Sequence, residues 1–276
     1  MNSFINNQEP NHFIGRFLCL ITGSSRGFGR AIAKISVGKD NIFKNAQHGS
    51  QFVLLSRNLN ELGETKSIME ETGFDMTRFH IRLISTDLAD IHQIESDFNG
   101  LLASLPSSFD KVLVFNNAGS LGDISKDILD YQWNILDYQK YFSLNVTSSI
   151  FMINSIINKF SGVDITLVQT SSLCAIQTMQ FMSLYCAAKA TMDMFLKCVA
   201  IDHTNVKTLN YAPGPLDTDM GKEMRDKNHS EETRKFFTEL FNNGTIIDPF
   251  DSATKLLKLL QNSEFNSGAH IDYYDV

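Results

Sequence analysis

The segment Thr22–Gly29 has the composition of a phosphate-binding turn. It reads TGSSRGFG and lies between a short apolar run and a segment of helical spacing. Glycine lets a backbone turn tightly and approach a ligand, and the free N–H groups and dipole of a helix N-terminus favour anions. An ordinary strand-to-helix turn can also contain glycines, but the strand–turn–helix context favours a dinucleotide pyrophosphate. The predicted cofactor-binding residues of this turn are Gly23, Ser25, Arg26, Gly27, Phe28 and Gly29.

The end of the next apolar segment indicates which dinucleotide is bound. A carboxylate there would bond the ribose 2′-OH of NAD and repel a 2′-phosphate. This chain has Ser56, Arg57 and Asn58 instead. Arg57 and Arg26 suit a 2′-phosphate if they converge on one corner, because guanidinium binds phosphate in a fork. Arg57 could also simply face solvent, but the missing acid favours NADP(H).

Short apolar segments alternate with helical segments along the chain. Such alternation predicts a Rossmann-type, doubly wound α/β fold, with one parallel sheet and helices on both faces. The predicted strands are 17–22, 51–55, 80–85, 111–115, 164–169 and 206–210, with a closing edge strand within 267–276. The predicted helices are 27–37, 58–72, 91–105, 138–158, 184–201 and 248–261, with a mobile polar surface helix or lid at 222–237. We expect a flexible N-terminal arm over 1–15 and one domain over 16–276.

Composition excludes several classes of function. The 276 residues are 43% hydrophobic and 20% charged, with a formal net charge of −7. An acidic surface repels phosphate backbones, so we expect no nucleic-acid partner. No apolar run reaches the length of a membrane span, and the first residues lack the pattern of a secretory signal. Four scattered cysteines in apolar surroundings and seven scattered histidines predict reduced thiols, no metal site and a cytoplasmic protein.

Several ordered motifs together resemble the short-chain dehydrogenase/reductase family. They are the glycine turn, NNAG at 116–119, SLNVT at 143–147, a serine pair at 171–172 and YCAAK at 185–189. The resemblance covers nearly the whole chain from residue 17 onward. It implies a catalytic tetrad of Asn145, Ser172, Tyr185 and Lys189.

The tetrad chemistry is consistent with these residue types. Tyr185 and Lys189 are i and i+4 on a predicted helix, so they emerge on one face. A phenol donates poorly at neutral pH, and a neighbouring ammonium would lower the pKa of Tyr185 and improve proton transfer. Ser172 would stabilise the substrate oxygen, and Asn145 would order water for a relay to Lys189. An isolated Tyr-x-x-x-Lys pair is common on helix surfaces, so the conjunction of motifs carries this prediction.

The resemblance also implies further contacts to the cofactor. Tyr185 and Lys189 would contribute to them, and the segment after the sixth strand would hold the nicotinamide carboxamide, although it could be only a rigid proline turn. The remaining residues of this predicted set are Asp87, Leu88, Asn117, Ala118, Gly119, Pro213, Gly214, Leu216 and Thr218.

A narrower resemblance is to the family members that reduce pterin side-chain carbonyls. It rests on NNAGSLGDISK at 116–126, SSLCAIQ at 171–177, YAPGPLDTDM at 211–220 and SGAHIDYYD at 267–275. It implies that Asp272 anchors the adjacent N–H donors of a pterin, which a carboxylate can accept in pairs. Ser172 and Tyr185 would meet the carbonyl. The predicted walls, which could equally be core, are Leu121, Cys174, Phe181, Met182 and Tyr211.

Two alternatives remain open from the sequence. One is a broader NADPH-dependent reductase of diketones or quinones, in which Asp272 is an ordinary surface charge. The other is a catalytically idle NADP(H)-binding regulator, against which the complete tetrad argues. By analogy with the family, helices 138–158 and 184–201 would pair with their copies in a homodimer.

Overall fold

Strands and helices alternate along the chain, as the apolar pattern predicts. The computed structural model describes residues 14–38, 42–73, 75–263 and 265–276. The strands in these ranges are β1 (Ile14–Gly15), β2 (Phe17–Thr22), β3 (Asn45–Ala46), β4 (Ser50–Ser56), β5 (Phe79–Ser85), β6 (Lys111–Asn116), β7 (Asp164–Thr170), β8 (Val206–Ala212) and β9 (Ala269–Asp272). The α-helices are α1 (Gly27–Ser36), α2 (Leu59–Glu70), α3 (Ile91–Ser104), α4 (Ile135–Phe142), α5 (Ser148–Lys159), α6 (Ser183–Asp202), α7 (Asp219–Lys227), α8 (Glu231–Asn242) and α9 (Pro249–Asn262).

Seven strands form one parallel sheet in the order β5-β4-β2-β6-β7-β8-β9. The predicted doubly wound fold with a single domain is confirmed. Because β2 lies between β4 and β6, the strand order reverses beside it. In such sheets ligands bind in the crevice outside the carboxyl ends of the strands at this reversal. The glycine turn follows β2 at that point.

Two apolar cores cover the two faces of the sheet. All six residues of β2 are buried, and the first five alternate between the cores. Phe17 and Ile21 face the core that α1 and α9 complete, whereas Leu18 and Leu20 face the core formed with α3, α5 and α6. Burial on both faces explains why the strands are continuous apolar runs.

The predicted helix 138–158 is interrupted in the structure. It consists of α4 and α5, joined by a π-helical turn over Ser143–Thr147. Within this turn the Asn145 side-chain amide donates to the Tyr141 carbonyl at 3.0 Å. Single π-helical turns inside α-helices occur frequently at functional sites. The polar segment 222–237, predicted as a mobile surface helix or lid, lies in two helices, α7 and α8, and its role as a lid stays a prediction.

The N-terminal arm lies mostly outside the described residues, which begin at Ile14. Ile14 and Gly15, placed in the arm by the sequence, instead pair in parallel with Asn45 and Ala46. This small sheet ties the start of the described chain to the polar segment before β4. None of the helices in the described ranges has the length and apolarity that a membrane span requires.

Candidate active site

The segment after β6 fixes the glycine turn through hydrogen bonds. The Thr22 hydroxyl accepts hydrogen bonds from the backbone N–H groups of Asn117 and Ala118 at 2.9 and 3.0 Å. The Asn117 amide donates to the carbonyls of Thr22 and Gly23 at 3.0 and 3.3 Å, and its oxygen accepts from Thr170. The Asn117 side chain, predicted to contact the cofactor, is therefore occupied in fixing the turn.

The first turn of α1 has the geometry of an anion site. Gly23 and Gly27 have φ values of 65° and 54°, which favour glycine, and Ser25 is buried beneath them. Gly29 must lack a side chain, because a Cβ there would lie 2.3 Å from the Gly23 carbonyl oxygen. No side chain caps the N-terminus of α1, which begins after Arg26. Its N–H groups therefore fit a pyrophosphate.

Phe28 does not contribute a side chain to this anion site. Its ring is 6% exposed and stacks on Tyr211 at 6.3 Å between centroids, within the core below the turn. Leu88 is likewise buried in the opposite core, and one Asp87 oxygen accepts from the Ala89 N–H at 3.0 Å. For Phe28 and Leu88, only the backbone is available to a cofactor.

The two arginines predicted to share a phosphate have different surroundings. The Arg26 guanidinium forms an ion pair with Asp219 at 2.6 Å, at the start of α7. Asn58 caps α2 by accepting from the N–H groups of Asn60 and Glu61. Arg26 therefore already has an acidic partner, and the joint binding of a phosphate by Arg26 and Arg57 stays a prediction.

Arg57 remains available beside the end of β4. Its side chain is exposed, and its guanidinium has no ion pair or hydrogen bond to another part of the chain that the structure describes. Ser56 is buried, and its hydroxyl accepts from the Asn58 N–H at 3.3 Å. Since no carboxylate stands at this strand end, the corner fits a 2′-phosphate.

Tyr185 and Lys189 lie one turn apart on α6, and both are 6% exposed. The Lys189 ammonium donates to the Thr170 carbonyl at 2.6 Å and lies 5.5 Å from the centroid of the Tyr185 ring. Burial lowers the pKa of Lys189 to about 8, while the charge of Asp193 acts in the opposite direction.

Burial also raises the pKa of Tyr185 above its ordinary value, whereas a hydrogen bond with Ser172 acts to lower it. The predicted lowering of this pKa by Lys189 is wrong for the chain alone. The cost of burying a phenolate outweighs the other influences on Tyr185.

The two serines after β7 face different partners. The Ser172 hydroxyl accepts from the Cys174 N–H at 3.2 Å, and its interaction with the Tyr185 phenol acts to lower the pKa of that phenol. The Ser171 hydroxyl instead donates to Asp193 at 2.5 Å. Of the two, Ser172 is therefore the serine beside the phenol, as the family resemblance implies.

Asn145 lies opposite Lys189 across a small space. Its side-chain oxygen accepts from the Ser120 N–H at 2.9 Å. A Cβ on Gly119 would meet this oxygen at 3.1 Å and the Lys189 nitrogen at 3.8 Å. The absence of a side chain at Gly119 therefore leaves room between these two polar groups.

The segment after β8 is fixed by polar and apolar contacts. The Pro213 carbonyl accepts from the Ser252 hydroxyl at 3.0 Å, and Gly214 has a φ of 77°. A Cβ on Gly214 would lie 2.5 Å from Ile247. Leu216 is buried, and Thr218 caps α7 with its hydroxyl. A rigid turn therefore follows β8 beside Gly27, whose Cβ would meet Thr218 at 3.4 Å.

A third, smaller apolar cluster surrounds Tyr185. Three of the predicted pocket walls belong to it, namely Leu121, Cys174 and Met182. Phe181 is half-buried, with a φ of 57° and its ring against His229 at 4.4 Å. The prediction that Tyr211 lines this pocket is wrong: its ring is fully buried in the core beneath the sheet, and its hydroxyl bonds Ser252.

Asp272 lies at the end of β9, in register with Ala212 at the end of β8. It is half-buried, and one carboxylate oxygen accepts from the Tyr274 N–H at 3.0 Å. Since Thr170 is in register with Tyr211, Asp272 stands at the same edge of the sheet as the Ser171–Ser172 segment.

Sequence reasoning missed a buried polar pair behind these residues. Asp193 and His270 approach to 2.5 Å, although 77 positions separate them in the chain. The only signal was the recurrence of chemically active residues at 185, 189 and 193, one helical turn apart.

Comparison with known proteins agrees with this geometry. A family model described as short chain dehydrogenase matches residues 18–229. Sepiapterin reductase of Bos taurus is 37% identical over 270 residues, which cover 95% of this chain and 96% of that protein. Sepiapterin reductase of Rattus norvegicus is 36% identical over 271 residues, with coverages of 95% and 98%.

Solved structures agree on the fold. The crystal structure of the KRED1-Pglu enzyme matches with a TM-score of 0.75 at 21% identity, covering 92% of this chain and 99% of that one. The family match extends from β2 to beyond α7 and includes the glycine turn and the tyrosine–lysine pair. The chain therefore belongs to the short chain dehydrogenase family.

Proposed function

We propose that the chain is an NADPH-dependent reductase of pterin side-chain carbonyls. It would convert sepiapterin to dihydrobiopterin and 6-pyruvoyl-tetrahydropterin to tetrahydrobiopterin. The observation that carries the proposal is the position of Asp272 at the edge of the sheet where Ser172 also lies. The similarity to sepiapterin reductases over 95% of the chain supports the same substrate class.

The residues at the carboxyl edge of the sheet fit NADP(H). The uncapped first turn of α1, from Gly27 to Gly29, would hold the pyrophosphate, and Arg57 the 2′-phosphate. The segment Pro213–Thr218 would hold the nicotinamide end. When bound, NADPH supplies a hydride to the carbonyl carbon of the substrate.

The residues of the tetrad then control the carbonyl oxygen. Because burial raises the pKa of Tyr185, its phenol is protonated at neutral pH and can donate that proton to the oxygen. Ser172 donates a hydrogen bond that stabilises the developing alkoxide. The Lys189 ammonium stabilises the phenolate that remains, and the space between Asn145 and Lys189 fits a water that returns the proton.

The pterin would be oriented by its pyrimidine edge. Adjacent N–H donors on a 2-amino-4-oxo pyrimidine match a carboxylate, so Asp272 fixes which carbonyl reaches Tyr185. The apolar cluster around Tyr185, which includes Leu121, Cys174 and Met182, would contact the flat ring. This cluster would equally admit other apolar carbonyls, which is the basis of the second candidate, a broad carbonyl reductase.

An Asp272→Asn variant separates the two candidates. We expect its kcat/KM for sepiapterin to fall about 10- to 100-fold, because a charge-assisted pair of hydrogen bonds is lost. Its kcat/KM for a small diketone should change less than about twofold, since a diketone has no such donors. Asp251→Asn, which removes an exposed carboxylate on α9, serves as the control. Equal losses with both substrates, or no loss with either, would refute the anchoring role.

We further propose a cytoplasmic homodimer. Apolar side chains are exposed on α4 and α6, among them Ile135, Leu136, Met194 and Ile201, with exposures of 59–82%. A second copy covering them would remove this apolar surface from water. All four cysteines are free thiols, which suits a reducing compartment. Sedimentation velocity at micromolar concentration would show one species of twice the chain mass, and a monomer would contradict the homodimer.

A further inference from the structure

A buried carboxylate lies directly behind the tetrad, at the meeting point of three elements. Asp193 is 2% exposed and belongs to α6. One of its oxygens accepts from the Ser171 hydroxyl at the end of β7, and the other contacts His270 on β9, both at 2.5 Å. A charge this deeply buried is costly unless its oxygens are hydrogen-bonded, as they are here.

His270 fixes the second oxygen of this carboxylate. Its Nδ1 faces Asp193, whereas its Nε2 is buried and has no hydrogen-bond partner among the described residues. A carboxylate oxygen only accepts, so Nδ1 donates to Asp193. His270 therefore fixes the carboxylate in place.

The charge of Asp193 acts on Lys189, one turn earlier on the same face of α6. Burial disfavours the Lys189 ammonium, and Asp193 is the charged residue that most favours it. The other titratable groups facing Lys189 are Tyr185 on α6 and Cys174 in the turn after β7. Both are neutral at pH 7, because burial raises the pKa of Tyr185, and the hydrogen bond with Cys186 together with burial raises that of Cys174.

The contact with Ser171 has a second consequence. Ser171 immediately precedes Ser172 and follows Thr170, whose carbonyl accepts from Lys189. The Asp193 carboxylate thus holds the end of β7 against α6. Ser172 follows β7, whereas Tyr185 and Lys189 belong to α6, so this contact fixes the two parts of the tetrad relative to each other. His270 is two residues before Asp272 on β9, so the same carboxylate also ties the tail strand to α6.

We propose that Asp193 is a positioning residue of the reaction, whose buried charge, fixed by Ser171 and His270, keeps Lys189 an ammonium and aligns Ser172. The proposal rests on the roles given above to Lys189 and Ser172. It does not depend on which carbonyl is reduced. Asp193 touches neither substrate nor cofactor and acts through its neighbours.

The test is the titration of Lys189 in the protein without cofactor. Lysine labelled with ¹³C at Cε reports the charge of each amine by NMR, and the Lys189 signal is assigned by its loss in Lys189→Arg. We expect Asp193→Asn to lower the titration midpoint by about one pH unit or more, because an opposite charge is removed. The alkaline limb of the kcat profile for sepiapterin and for a diketone should move to lower pH by the same amount.

Two variants separate charge from contact. Ser171→Ala keeps the carboxylate, so the Lys189 midpoint should stay unchanged while kcat falls severalfold at constant KM for NADPH. Asp202→Asn removes an exposed carboxylate from the end of α6 and should change neither quantity. An unchanged midpoint in Asp193→Asn, or an equal shift in Ser171→Ala, would overturn the proposal.

A second route removes the same charge if Asp193→Asn does not fold. A triple variant, Asp193→Leu with His270→Leu and Ser171→Ala, replaces all three hydrogen-bonded side chains by apolar groups. No polar side chain of this network is then left buried without a partner, and proteins often tolerate such an exchange. The Lys189 midpoint should again fall by about one unit or more. An unchanged midpoint in this variant would equally overturn the proposal. The midpoint is measured without substrate, so it tests the Asp193 proposal whether or not the wild-type protein reduces sepiapterin. Failure of the proposed substrate alone would leave the midpoint shift in place, so the two failures are distinguishable.

Discussion

Replacing Lys189 by methionine should abolish turnover and make the protein more stable. Lys189 is 6% exposed, and its ammonium donates a hydrogen bond to the Thr170 carbonyl. Burial lowers its pKa from 10.5 to about 8, so at neutral pH the folded protein contains a charge that its surroundings disfavour. Methionine has a similar length and no charge.

The magnitude follows from the pKa. A fall from 10.5 to about 8 corresponds to about 3 kcal/mol of cost for the charged form at pH 7. Losing the hydrogen bond to the Thr170 carbonyl offsets about 1 kcal/mol of the gain. We therefore expect Lys189→Met to raise the free energy of unfolding by about 2 kcal/mol at pH 7.

The stability difference between the variant and the wild type should also depend on pH, in a direction that follows from the pKa of Lys189. Between pH 8 and 10.5 the unfolded chain keeps the Lys189 proton and the folded chain loses it, so wild-type stability gains with rising pH through this group. The methionine variant has no such gain. The stability difference should therefore decline from about 2 kcal/mol at pH 7 to about zero at pH 9.5.

Urea unfolding of both proteins at the two pH values measures this difference. Lys258→Met, an exposed position on α9, is the control and should show no pH-dependent difference. A methionine variant that is less stable at pH 7, or a difference that does not change with pH, would refute the reasoning about the buried ammonium.

Two further predictions concern the cofactor site. Arg57→Ala should weaken NADPH binding about tenfold or more and leave NADH binding unchanged in fluorescence titrations, because only NADPH has the 2′-phosphate. Equal weakening of both cofactors would contradict the role of Arg57. Arg26→Ala should have a smaller effect on NADPH binding, because Asp219 already pairs with Arg26. Gly29→Ala should destabilise the fold by about 1–3 kcal/mol in urea unfolding, because its Cβ would lie 2.3 Å from the Gly23 carbonyl. Gly63→Ala on α2, where a Cβ meets nothing within 4 Å, should instead be neutral or slightly stabilising, and equal effects at the two glycines would contradict the steric argument.

The strands and the glycine turn were predictable because local patterns determine them. The first six predicted strands each lie within one or two residues of their observed bounds. The break between α4 and α5 was not predictable, because it accompanies a hydrogen bond from the Asn145 side chain to a carbonyl of its own helix. Tyr211 was misplaced because parallel strands buried on both faces have no polar alternation to indicate which face a residue takes.

The positions of the tetrad were predictable, whereas their electrostatics were not. Spacing along the chain placed Tyr185 and Lys189 on one helix face. The pKa of Tyr185 depends instead on burial, which only the folded chain determines. The partners of Asp193 and Arg26 were also invisible in the sequence, since His270 and Asp219 are 77 and 193 positions away from them.

The most direct test of the proposed function is NADPH consumption at 340 nm with sepiapterin, beside NADH and a simple diketone. We predict fast turnover of sepiapterin with NADPH, and slow turnover with NADH because Arg57 would lack its phosphate partner. Turnover of the diketone alone would contradict the pterin assignment. It would leave a carbonyl reductase of the same family, with Asp272 as a surface charge.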